Sequence, residues 1–133
     1  MRIILDTNVV VSAFATRGLC ADLFHVIVAE HELVLGETVL AEVSRVLSDK
    51  LRLPKNHVDD LEAFLRRQAT VVKGPRSHAA QGLDSPDARV LSEAVAGAPD
   101  VLVSGDGDLL ELVNSPVRLV SPRGLWDVLR RAT

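Results

Sequence analysis

Tyrosine is missing from this 133-residue chain, and one tryptophan with three phenylalanines make its aromatic content only 3%. A nucleic-acid binder that stacks successive bases on aromatic rings is therefore disfavoured. Cysteine occurs once, at Cys20. That excludes an internal disulfide and a cysteine-rich zinc site, and it fits a reducing, cytoplasmic setting. No apolar run approaches the ~20 residues of a membrane-spanning helix, and no charged-then-apolar leader is present, so no membrane partner is expected. Positive excess is lacking as well: the formal net charge is -3, which looks unsuited to a polyanionic partner.

What is present is aliphatic. Hydrophobic residues make up 47% of the chain and charged residues 25%, the balance of a folded protein rather than a disordered one. The length predicts a single domain, 1–133, burying about two-thirds of its unfolded surface. Short β-branched runs alternate with helix-period segments. "RIIL", "ELVL", "TVV", "DVLVS" and "VRLV" read as strands. "NVVVSAFA", "ADLFHVIVAE", "ETVLAEVSRVLSDKL", "PKNHVDDLEAFLRRQ", "PDARVLSEAVAG", "DLLELV" and "SPRGLWDVLRR" read as helices, and "GPRSHAAQGLDS" as a loop. Uniformly apolar strands separated by helices predict a parallel sheet covered on both faces.

In such sheets ligands bind beyond the carboxyl ends of the strands. Asp6 directly follows the first strand, and Asp106 and Asp108 follow the fourth in "VSGDGDLL". Gly and Asp also suit a turn and a helix cap, so "GDGD" alone is weak. For Asp6 that bland account is weaker, since Thr7 or Asn8 can cap the same helix. Two further acids stand out by helical phase. Glu42 lies three residues after Val39 and four before Val46, bordering their apolar stripe, whereas Glu37 falls on the solvent side. Asp87 precedes Val90, Leu91 and Ala94 at i, i+3, i+4 and i+7, which points it inward, while Glu93 points out. Asp84 and Ser85 can cap that helix.

Carboxylates gathered at one sheet edge disfavour one another unless something compensates them, because isolated buried charge is costly and like charges raise each other's pKa. A divalent cation removes the conflict, and an all-oxygen donor set without cysteine or clustered histidine indicates Mg²⁺ or Mn²⁺. Two such ions about 3.5–4 Å apart suit in-line attack of water on a phosphodiester. Setting the four acids aside leaves the rest of the chain at +1, and 12 of its 15 basic residues are arginine, a residue suited to phosphate. Arg17, Arg45, Arg66, Arg67, Lys73 and Arg76 are candidates for a nucleic-acid path, with a solvated helix face favoured for Arg66 and Arg67. The four histidines are scattered, and His25 and His31 read as structural or exposed.

These residues together resemble the PIN domain family of metal-dependent ribonucleases, which includes the VapC-type toxins of toxin–antitoxin pairs. The resemblance rests on "IILDTNVVVSAF", "LAEVSRVL", "DSPDARVLSEAVAGAPDVLVSGDGDLL" and "VRLVSPRGL", in that order. It implies a three-layer α/β/α fold with about five parallel strands, dependence on Mg²⁺ or Mn²⁺, an RNA substrate, a protein antitoxin and a homodimer. It places the family's acids at Asp6, Glu42, Asp87 and Asp106. Asp84 and Asp108 are further candidate metal ligands, and Thr7, Asn8 and Ser104 are polar supports. Related sequences commonly carry paired aspartates where this one has Asp87-Ala88, and another acid where Asp84 stands, so either Asp84 or Asp87 makes the closer metal contact.

Two rivals remain. An aspartyl-phosphate phosphotransferase usually needs an aspartate two residues after the first, where this chain has Asn8, and a receiver-like domain needs one ending the third strand, where "TVVKGP" has none. A binding module can keep the fold without turnover.

Overall fold

The computed structural model describes residues 1–74, 86–112 and 115–131; of 86–88 only the helical backbone is described. The chain runs β1 Arg2–Leu5, α1 Thr7–Ala15, α2 Leu19–Glu30, β2 Glu32–Gly36, α3 Glu37–Asp49, α4 Lys55–Gln68, β3 Thr70–Val72, α5 Pro86–Gly97, β4 Val101–Val103, α6 Gly107–Leu110, β5 Leu119–Val120 and α7 Pro122–Arg131. One five-stranded sheet has the order β3-β2-β1-β4-β5, and every pairing in it is parallel.

The central strands are those with three consecutive buried apolar residues. Ile3, Ile4 and Leu5 of β1, Leu33, Val34 and Leu35 of β2, and Val101, Leu102 and Val103 of β4 are all buried, as a strand covered on both faces requires. The edge strands β3 and β5 are only partly covered. Side chains alternate across the sheet, so the register of Ile4 with Val34 and Leu102 puts these three on one face. On that face α5 comes so close that a Cβ on Gly97 would stand 3.1 Å from Val34 Cγ1. On α3, Val39, Leu40, Val43 and Leu47 form the buried stripe. These layers make the α/β/α arrangement predicted from the alternation of elements.

Among the boundaries that differ from the sequence reading, two have a local cause in the structure. The helix after β4 is only four residues, because Asp106 caps it and the chain leaves helical geometry after Leu110. The last strand begins at Leu119 rather than Val117, since the Ser115 hydroxyl donates to the Val117 carbonyl at 2.7 Å and turns the backbone there. The predicted loop from 74 to 85 lies, from residue 75 on, outside the described residues. Among the described residues no single helix is long and apolar enough to cross a membrane.

Candidate active site

β1 and β4 are neighbours, and each ends at a polar residue where its apolar run stops. At the end of β1 the chain turns into α1, with Asp6 as the N-cap; its Oδ1 accepts from the Thr7 amide at 2.8 Å. Asp6 therefore does the capping that Thr7 or Asn8 was expected to supply. Its own backbone amide donates to the Val103 carbonyl at 2.9 Å, which ties the end of β1 to β4. At the end of β4, the fully buried Ser104 donates its hydroxyl to Asp6 Oδ2 at 2.8 Å. The same oxygen accepts from the Asp106 amide at 2.9 Å. One hydroxyl thus fixes both strand-end aspartates.

Glu42 reaches this edge from α3. It is half-buried beside Val39 and Val43 and accepts from the Thr7 hydroxyl at 2.8 Å through Oε2. Asn8 Oδ1 accepts from the Gly105 amide at 3.3 Å, a second tie between the two strand ends. The three polar supports Thr7, Asn8 and Ser104 are thus all engaged at the edge where the acids lie. Asp108 is exposed; its backbone amide donates to Asp106 Oδ1 at 2.8 Å, the bond by which Asp106 caps α6, so the bland turn-and-cap reading of "GDGD" is realised too. Asp87 belongs to the first turn of α5, one turn before Val90, but its side chain lies outside the described residues, as does Asp84 altogether.

Asp6 is 8% exposed. Burial pushes its carboxyl above the ordinary aspartate range; the Ser104 and Thr7 hydrogen bonds oppose this, and the Glu42 and Asp106 carboxylates add to it. No lysine, arginine or histidine among the described residues forms an ion pair with Asp6, Glu42 or Asp106. A divalent cation fits this donor set, which is all oxygen and carries repulsion that no ion pair among the described residues relieves. Among the described residues, no three His, Cys, Asp or Glu side chains already stand close enough to hold an ion.

The acids open on a cleft of about 380 Å³, lined by Asp6, Glu42 and Asp106 together with Asn8, Val46 and Lys50 among others. Lys50 was missed in the sequence, although its signal is there: Glu42, Val46 and Lys50 recur every four residues and so share one face of α3. None of the five described basic residues named above lines this cleft. Arg66 is held by Glu37, with Nη1 and Nη2 each 2.9 Å from a carboxylate oxygen, and Arg67 lines a cleft at the opposite edge of the sheet. Arg76 lies outside the described residues.

One expectation is overturned. Glu93 does not point out: it is 5% exposed, and its carboxylate accepts from the Thr38 amide at 2.8 and 3.1 Å. It caps α3 from another helix, because Gly36 at the N-cap has no side chain to do so.

The model of the PIN domain family matches residues 2–108. This chain belongs to the PIN domain family. Three solved structures share the PIN fold. VapBC2 from Rickettsia felis, crystallised with a DNA fragment from its promoter, has a TM-score of 0.65 at 17% identity, covering 91% of this chain and 98% of the other. VapBC-1 from nontypeable Haemophilus influenzae gives 0.66 at 14%, covering 92% and 99%. PAE2754 from Pyrobaculum aerophilum gives 0.65 at 17%, covering 98% and 90%. The comparison with curated protein sequences gives no match. At these identities the solved structures speak for the PIN fold, and the residues speak for the chemistry.

Proposed function

We propose that this PIN domain is an endoribonuclease dependent on Mg²⁺ or Mn²⁺, the toxin of a toxin–antitoxin pair working in the cytoplasm. The observation that carries the chemistry is Asp6, a buried carboxylate beside two more carboxylates and without an ion pair among the described residues. Asp6, Glu42, Asp87 and Asp106 are the proposed catalytic ligands, with Asp84 and Asp108 as further contacts. A bound divalent ion would supply an activated water and charge neutralisation at the phosphodiester. The chain's own part is to hold the ligands. Ser104 and the Thr7 amide fix both oxygens of Asp6, the Thr7 hydroxyl aims Glu42, and Asn8 ties the two strand ends together. The PIN family and the VapBC neighbours support the toxin assignment. A protein antitoxin and a homodimer follow from the same kinship, and a single domain over 1–133 is part of the proposal.

The test is a panel of labelled RNAs incubated with Mn²⁺ or with EDTA, using wild type and Asp6→Asn side by side. Cleavage by wild type with Mn²⁺, abolished by EDTA and in the folded mutant, is the expected result. Wild-type-like cleavage by Asp6→Asn overturns the assignment. A second reading, a non-catalytic PIN binding module, draws on the capping roles of Asp6 and Asp106. It is favoured if Mn²⁺ leaves the thermal midpoint unmoved and no RNA is cut.

A further inference from the structure

Among the described residues the active-site cleft is lined by three carboxylates, each of which repels a polyanion, and by one cation, Lys50. Lys50 is the C-cap of α3, two turns beyond Glu42 on the same face. Its ammonium makes no ion pair among the described residues, and it is exposed. The chain then leaves α3 through a fixed turn. The Leu51 amide donates to the Val46 carbonyl at 3.1 Å, the Leu53 amide donates to the Leu47 carbonyl at 3.0 Å, and Arg52 takes φ 53°. A non-glycine residue in that left-handed region carries strain of order 1 kcal/mol and persists only where its surroundings hold it. The stem of Lys50 therefore rises from a braced position beside the acids. Between Lys50 and Glu42 the wall is Val46, with Val11 and Val90 also in the lining, so no other charged side chain separates the cation from the acid cluster along α3.

Resting on the nuclease reading above, we propose that Lys50 contacts a backbone phosphate of the RNA next to the one being cut, and so sets the path of the strand across the end of α3. A lysine is suited to this as a point charge that follows a mobile phosphate without a fixed fork geometry. Such a contact is made equally in the ground and transition states. Its removal raises KM and spares kcat. It also releases one fewer counterion, which flattens the dependence on salt.

The experiment compares wild type, Lys50→Ala, Lys50→Arg and Arg67→Ala in Mn²⁺-dependent cleavage of a labelled single-stranded RNA, from about 50 to about 200 mM salt. Arg67→Ala removes the same unit of charge at the far edge of the sheet and serves as the control for net charge. For Lys50→Ala we expect KM to rise about tenfold, as for a lost hydrogen bond between charged groups. Its kcat stays within a factor of about two of wild type, and the logarithmic salt slope falls by about 0.7. Lys50→Arg restores most of the KM, and Arg67→Ala stays near wild type. Wild-type KM and slope in Lys50→Ala overturn the inference while leaving the nuclease standing. So does an equal change in Arg67→Ala, which points to net charge alone. So does tighter Mn²⁺ binding by Lys50→Ala at unchanged KM, which makes Lys50 a counter-ion of the acids. Absence of any RNA cleavage by wild type overturns the nuclease reading and this inference together.

Discussion

The two edges of the sheet both gather charged residues, and they handle them in opposite ways. At the amino edge, Glu32 is paired with the Arg2 guanidinium and accepts from the Thr70 hydroxyl at 3.1 Å. Asp100 accepts from the Arg2 amide at 2.7 Å, and the Arg2 guanidinium also donates to the Gly97 carbonyl that ends α5. Glu32 and Asp100 thus both meet a donor of Arg2, the guanidinium for Glu32 and the backbone amide for Asp100. At the carboxyl edge, Asp6, Glu42 and Asp106 receive hydroxyls and amides but no cation among the described residues. The amino-edge cleft is the larger, about 700 Å³ against about 380 Å³. Under the proposed function, size does not mark the working end of this domain; carboxylates crowded together without an ion pair among the described residues do.

The strongest way to break that comparison is to load each edge with metal. Saturating Mn²⁺ at about 100 times its dissociation constant stabilises a protein with one site by about 2.7 kcal/mol, and the shift should appear in thermal unfolding of wild type. Asp6→Asn should lose it, and Glu32→Gln should keep it; a shift lost in Glu32→Gln instead would move the site to the other edge. The metal-free protein has its own pH signature. Because the Asp6 carboxyl is raised in the folded state, its contribution is fully present below the unfolded pKa and is lost as pH rises through the folded one. Metal-free wild type should therefore lose stability relative to Asp6→Asn as pH climbs through that window. Bound Mn²⁺ should remove the difference. Midpoints measured across pH with EDTA and with Mn²⁺ check both.

How much of this was legible beforehand divides along physical lines. The strands were legible because β1, β2 and β4 are covered on both faces, so each carries three consecutive buried apolar residues and the charged Arg2 and Glu32 fall only at the first positions of β1 and β2. Asp6 and Asp106 were legible because topology alone places the ends of adjacent parallel strands together. Glu93 was misread, although the rule that placed Glu42 reaches it as well: it lies three residues after the buried Val90 and four before Gly97. The missing clue was across the chain. Gly36 gives α3 no cap of its own, and a Cβ there would come within 2.6 Å of Glu93 Oε1. A helix start without a capping side chain asks for an acceptor from elsewhere, and only the tertiary structure says which. Lys50 was missed because attention went to arginine clusters, whereas the cleft is reached by one lysine on the face of Glu42.

Ser104 sharpens the contrast at its centre. Its hydroxyl is wholly buried, donates to Asp6 and accepts from the Asp106 amide, so Ser104→Ala leaves two polar groups short of a partner in one step. Residues that orient metal ligands in this way typically affect metal affinity or activity by about 10–100-fold. Ser104→Ala should show a loss of that size in Mn²⁺-dependent cleavage, together with about 1–3 kcal/mol of stability for the buried groups left unpaired. At the amino edge, Thr70→Val removes a hydroxyl that likewise donates to an acid; it should leave cleavage unchanged. Equal losses from the two variants, measured by initial rates at fixed Mn²⁺, would erase the distinction between the edges.

The smallest effect belongs to Glu93, and it separates burial from function at one edge. Glu93 is as buried as Asp6 and stands near the same ends of the strands, yet it meets the amide of Thr38 at the positive end of α3. Asp6 likewise stands at a helix start, as the N-cap of α1, but there the Glu42 and Asp106 carboxylates add their charge beside it. Glu93→Gln keeps an acceptor for that amide and loses only the charge–dipole attraction, about 0.3–1 kcal/mol. Glu93→Ala loses the cap as well, about 1–2 kcal/mol. Since α3 carries both Glu42 and Lys50, a frayed start lowers the folded fraction without touching the acids. Both variants should therefore unfold earlier in denaturant, in the order Ala before Gln, while the Mn²⁺-induced shift in midpoint stays that of wild type. A reduced Mn²⁺ shift in Glu93→Gln would show that this carboxylate belongs with Asp6.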